Sequence, residues 1–173
     1  RRSGHVRFAT KALDELTRNP ATAENPLVVV ASFKNLAELG LKEEACHRLE
    51  GFLVEHGVQG ASPAPSVSGN PHFFGRCCLK VAAWTLDLWE ERRRDTADTA
   101  PGPPGIPNLT TMQTALQWVK RGRELSPNDV QAWNRWAYTN FQMVELTAQD
   151  RFESGFANTR NGLSWQQLDE ATR

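Results

Sequence analysis

The sequence predicts an all-α fold, a solenoid of antiparallel helical hairpins with about six helices. Three observations predict it. Apolar residues recur at steps of three, four and seven along most of the chain, the spacing that returns a side chain to the same helix face. The segments are bounded by helix signals: Asn-Pro at 25–26 and 70–71, an N-cap followed by proline in the first turn, and Gly40 and Gly57 at helix ends. No stretch reads as a credible strand. The run Leu27 to Val30 taken alone could be a buried strand, but its cap and the period continuing through Phe33 and Leu36 make it helical.

The first helix covers residues 4–18, with Val6, Ala9, Leu13 and Leu16 on one stripe, and Asn19-Pro20 ends it. The second covers 26–39 with Val29, Phe33, Leu36 and Ala37 in register; the third covers 41–56 with Leu41, Ala45, Leu49 and Phe52. Short turns between them imply antiparallel neighbours. Residues 58–69 are small, polar and broken by prolines, and are expected to be a flexible loop. A fourth helix starts at Asn70-Pro71 and runs to about Arg94, striped by Phe74, Cys77, Cys78, Val81 and Leu88. A Pro-Gly-rich linker at 95–107 follows. The fifth helix, 109–124, places Met112, Ala115, Leu116 and Val119 inward. Ser126-Pro127-Asn128-Asp129 stops it and caps the sixth, which runs to about Gln149 through Ala132, Trp133, Trp136, Phe141 and Val144. Residues 1–150 thus form one helical-repeat unit, and 151–173 a variable, partly ordered tail.

Within 115–133 the end of one hairpin leads through a Ser-Pro turn into the aromatic start of the next, the pattern of tetratricopeptide-like and related HEAT-like repeats. Ala115, Gly122 and Ala132 are small enough to let helix axes approach. Trp133 is expected to fill the groove between repeats, with Trp84, Trp136 and Phe141 as further packing and interface residues.

Twenty basic residues balance twenty acidic ones, so there is no long-range field to steer a polyanion or a membrane surface. Neither nucleic acid nor a membrane span is expected, since no run approaches the roughly 18 consecutive apolar residues of a membrane helix. Three cysteines, two of them adjacent, give no disulfide framework and suit a reduced, cytoplasmic setting. The Arg-Arg-Ser-Gly-His opening reads as mid-domain sequence, so the chain is expected to be a piece of something longer.

No catalytic residue and no metal site is expected. Gly-rich phosphate loops, His-Glu-x-x-His and Gly-x-Ser-x-Gly are all missing from the sequence. Cys77 and Cys78 with His72 cannot form a tetrahedral site, because adjacent helical positions point about 100° apart. Core packing is the expected role of all three cysteines. Trp133 and Trp136 share a helix face and could stack on a ligand, but no basic stripe runs beside them and packing is the expected use.

Four segments in order, Ser3-Gly-His-Val-Arg-Phe-Ala-Thr-Lys-Ala-Leu13, Asn25-Pro-Leu-Val-Val-Val-Ala-Ser-Phe-Lys-Asn-Leu36, Arg76-Cys-Cys-Leu-Lys-Val-Ala-Ala-Trp84 and Gln131-Ala-Trp-Asn-Arg-Trp-Ala-Tyr-Thr-Asn-Phe141, resemble the FAT region of target-of-rapamycin kinases, within the phosphatidylinositol-3-kinase-related protein kinase family. The resemblance covers most of the chain to Gln149. It implies a non-catalytic helical scaffold that braces the kinase domain of a serine/threonine kinase, with neighbouring repeats and the subunits of a target-of-rapamycin complex as partners. ATP and Mg would belong to that kinase domain. It places the parent in the cytoplasm, or at membranes or in the nucleus through its complex. The resemblance also implies part of an inositol hexakisphosphate pocket. Lys34 and Lys42 match lysines there, whereas His5, Pro127 and Gln131 stand where other basic residues would. Lys34 and Lys42 lie on either side of Gly40, so only a folded hairpin could bring them together. The rival reading is a free-standing tetratricopeptide-like adaptor that binds peptides in a concave groove lined by residues such as Trp133 and Asn134.

Overall fold

A computed structural model describes residues 2–59, 65–97 and 109–160. Among them eight helices and no strand occur: α1 Arg2–Arg18, α2 Pro20–Ala23, α3 Pro26–Glu38, α4 Lys42–Glu55, α5 Pro65–Gly69, α6 Pro71–Ala97, α7 Leu109–Leu125 and α8 Val130–Arg160. The expected linker at 95–107 lies outside the described residues except where α6 extends to Ala97, and the end of the tail, 161–173, lies wholly outside them.

Local chemistry sets the helix boundaries. Asn25 Oδ1 accepts from the Leu27 amide at 2.9 Å, and Asn19 caps α2 in the same way, its Oδ1 accepting from Ala21 at 3.0 Å. Asn70 Oδ1 accepts from Phe73 at 3.3 Å at the start of α6. Each satisfies an amide that has no partner within its helix. Gly40 at φ +90° and Gly57 at φ +68° take the left-handed conformation that ends α3 and α4, a region that costs a side chain strain. At the last junction the cap is Asp129, whose Oδ1 accepts from the Gln131 amide at 2.9 Å. The Ser126 hydroxyl instead is buried with no hydrogen-bond partner among the described residues.

The long helices stack in chain order, α1 on α3, α3 on α4, α4 on α6, α6 on α7 and α7 on α8, with α6 also touching α8. The fold is therefore all-α and solenoid-like. Its core is drawn from the inner faces of α4 (Ala45, Leu49, Leu53), α6 (Phe74, Cys78, Val81) and α7 (Met112, Ala115, Val119). An aromatic seam binds three layers: Phe52 meets Phe33 at 6.3 Å edge to face and stacks on Phe74 at 6.1 Å. Trp118, 2% exposed, spans from α7 to α4 and donates its Nε1–H to Glu50 at 3.2 Å. Burial of each such side chain is worth roughly 1.5–3 kcal/mol.

Helices α6 and α7 approach each other closely at a pair of glycines. A Cβ on Gly122 would sit 3.0 Å from the Gly75 carbonyl oxygen, and one on Gly75 would sit 3.0 Å from the Gly122 carbonyl oxygen. Here α6 and α7 touch backbone to backbone, as the small residue at Gly122 led one to expect.

Three expectations are corrected. The stretch 58–69 is not simply loop: Pro65–Gly69 is helical, and Val58 and Val67 are fully buried. Two isolated valines in polar sequence carry no periodicity, yet each finds an apolar site to fill. On α1, Leu16 is 40% exposed, and a contact to α3 is polar, with Asn35 Nδ2 donating to Thr10 Oγ1 at 3.0 Å. Helix α8 runs to Arg160, well past Gln149, and its buried stripe is Ala132, Trp136, Thr139 and Met143. Trp133 and Phe141 belong to a different face, described below.

Candidate binding groove

The elements α3, α6 and α8, with the start of α4, enclose a groove of about 1270 Å³. Along α6 it is lined by Arg76, Lys80, Ala83, Trp84 and Asp87, positions that repeat at four, three, one and three residues and so share one face. From α3 come Val30, Lys34 and Glu38, and from α8 Gln131, Asn134, Arg135 and Tyr138. Trp84, 4% exposed, forms part of its floor, and the Lys80 ammonium sits over that indole at 5.0 Å.

Five cations against two carboxylates line this groove, so a chain that is neutral overall concentrates positive charge here. Lys34, Arg76, Lys80 and Arg135 form no ion pair among the described residues. Lys42 differs. Its Nζ is 2.5 Å from Glu91 Oε1 and 3.8 Å from Asp87 Oδ2, and the hydrogen bond to Glu91 holds the ammonium above its ordinary range. A second pair, Arg92 with Glu43 at 2.5 Å, ties the same end of α6 to the first turn of α4.

Lys34 and Lys42, expected as a partial polyphosphate pocket, therefore line one groove, as does Gln131. Sequence reasoning missed Arg76, Lys80, Arg135 and Tyr138. The four-residue spacing of Arg76 and Lys80 put them on one helix face, but nothing local showed that α3 and α8 would face them. Asn134 lines the groove; Trp133, named beside it for the adaptor reading, does not.

Of the expected packing residues, Trp84 is buried and Trp136 is partly buried against the core. Trp133, expected to fill the groove between repeats, is 44% exposed. Its ring meets Trp136 edge to face at 6.0 Å, Arg123 sits over both indoles at 4.8 Å, and its Nε1–H donates to Pro127 O at 2.7 Å. Phe141 is 60% exposed, and with Val130, Trp133 and Val144 it makes an apolar flank on α8 distinct from the buried one.

The cysteines are core residues. Cys46, Cys77 and Cys78 are free thiols and all buried; burial pushes Cys77 up to about 11 and Cys78 up to about 12. A thiol so protonated is a poor nucleophile and a poor metal ligand.

With this geometry in view, comparison with known proteins gives one weak likeness. The chain is 24% identical over 155 residues to the serine/threonine-protein kinase mTor of Drosophila melanogaster, a match that takes in 84% of this chain. It spans about 6% of that protein's length. No family model matches the chain. No solved structure matches it.

Proposed function

We propose that the chain is a non-catalytic, FAT-type scaffold segment of a target-of-rapamycin-like kinase, bracing a kinase domain through stacked tetratricopeptide-like hairpins. The observation that carries this reading is the two-faced helix α8. One flank, Ala132, Trp136, Thr139 and Met143, packs inward, while Val130, Trp133, Phe141 and Val144 present a second apolar flank at 44% to 70% exposure. A helix that is apolar on two flanks suits a stack in which each layer is covered on both sides. The likeness to a kinase of this type along 84% of the chain supports the same conclusion. Phosphorylation of serine and threonine, with ATP and Mg, would be the work of residues outside this segment. In this reading the groove holds inositol hexakisphosphate, which Lys34, Arg76, Lys80 and Arg135 would meet from three helices.

The test substitutes Trp133→Asp and Phe141→Asp in the parent kinase and in this chain alone. Kinase activity of the parent should be lost, while the isolated chain, where both side chains are partly exposed, should stay folded and lose only about 1–2 kcal/mol, most of it from Trp133. Full activity in the doubly substituted parent would refute the bracing role.

A further inference from the structure

The groove carries its own anions. Asp87 lines it and lies 3.8 Å from Lys42; Glu91, one turn further along α6, takes the same ammonium at 2.5 Å. Lys42 is therefore the one cation of the groove already matched by carboxylate among the described residues, while four others stand unmatched. Both carboxylates are about half exposed, at 56% and 49%, so water can replace their side of the pair. Exposed pairs of this kind are weakly held, and a multiply charged ligand can outcompete them.

Position along α6 separates the two ends. Arg76 lies eleven residues from Asp87, about 16 Å along a helix. That is roughly twice the screening length at physiological salt. A small anion seated by Arg76 would not feel Asp87, whereas a larger polyanion reaching Lys42 would meet both acids.

Building on the polyphosphate reading above, we propose that Asp87 and Glu91 act as a built-in counter-anion for Lys42. A polyphosphate must displace them to recruit that lysine, so the two carboxylates hold down the affinity of the groove for a polyphosphate and leave its affinity for a small anion unchanged. Displacement also releases one of the ties between α4 and the end of α6.

Calorimetric titration of the chain with inositol hexakisphosphate and, separately, inorganic phosphate tests this. Asp87→Asn/Glu91→Gln should bind inositol hexakisphosphate about tenfold more tightly than the native chain, and adding Lys42→Ala should erase that gain. Affinity for inorganic phosphate should stay the same. All these side chains are on the surface, and matching circular-dichroism spectra would show that the variants fold. An unchanged affinity in the double variant, with Lys34→Ala still weakening binding, would overturn the counter-anion and leave the groove's ligand standing. A gain that persists without Lys42, or an equal gain for inorganic phosphate, would overturn it too, by reducing the effect to general repulsion. If no form of the chain binds inositol hexakisphosphate, the polyphosphate reading falls and this inference falls with it.

Discussion

Glycine to alanine inside a helix ordinarily stabilises by about 1 kcal/mol, because alanine loses less backbone entropy. The fold makes this one change act in opposite directions at two sites. At Gly51 in α4 a new methyl meets nothing within 4 Å, so Gly51→Ala should gain the full amount of about 1 kcal/mol. At Gly122 in α7 the methyl would lie 3.0 Å from the Gly75 carbonyl oxygen and 3.0 Å from Leu79 Cδ2. Leu79 can turn aside, but the carbonyl is fixed in α6, so the helices must part. Overpacking of this kind costs about 1–3 kcal/mol, which leaves Gly122→Ala a net loss of about 1 kcal/mol after the propensity gain. Gly75→Ala is tighter still, since its methyl would come well inside van der Waals contact with Ser126 Oγ. That hydroxyl has no hydrogen bond to lose, so Ser126→Ala should recover part of the damage. Thermal melts followed by circular dichroism resolve these effects, at about 2–4 °C per kcal/mol for a domain of this size. If Gly122→Ala melted above the native chain by as much as Gly51→Ala, the backbone contact between α6 and α7 would be wrong.

Trp118 of α7 and Trp133 of α8 should also part company. Trp118→Ala removes a buried ring and leaves Glu50 without its donor, and should cost about 3–5 kcal/mol in urea unfolding; Trp133→Ala, at 44% exposure, should cost about 1–2 kcal/mol, and equal losses would contradict the burial pattern. Raised thiol values give a pH dependence of definite sign. The folded state favours the neutral thiols of Cys77 and Cys78, so their contribution is complete below the ordinary value of 9.0 and is lost as pH rises through about 11 and 12. Lys42, also raised, acts in the same direction but is an exposed pair of small effect. Urea midpoints should therefore fall between about pH 8 and pH 10.5, and Cys77→Ala/Cys78→Ala should flatten that slope; an unchanged slope would place the thiols in water.

The fold class and most helix boundaries were legible in the sequence because they depend on neighbours a few residues away. Asn25-Pro26 starts α3 and Gly40 ends it whatever lies across the core, since the groups they satisfy belong to the same helix end. The long apolar period of α4 and α7 likewise gave the right inner faces at Leu49 and Val119. What failed were segments whose role depends on distant partners. Val58 and Val67 had no period to announce them, and their burial rests on joining a core built by other helices. In α8 two apolar stripes interleave, and sequence alone merged Trp133 and Phe141 with Ala132 and Trp136, because a period shows that a face is apolar and not what it meets. The groove is of this second kind. Lys34, Arg76 and Arg135 stand on three helices and are themselves 42 or more residues apart in sequence, and Lys42 is matched by Glu91 across 49 positions. Caps and periodicity are local and are written in the chain. Which cations converge, and which of them is already neutralised, follows from how rigid helices settle against one another, set here by the close approach of Gly75 and Gly122 and by the bulk of Trp118.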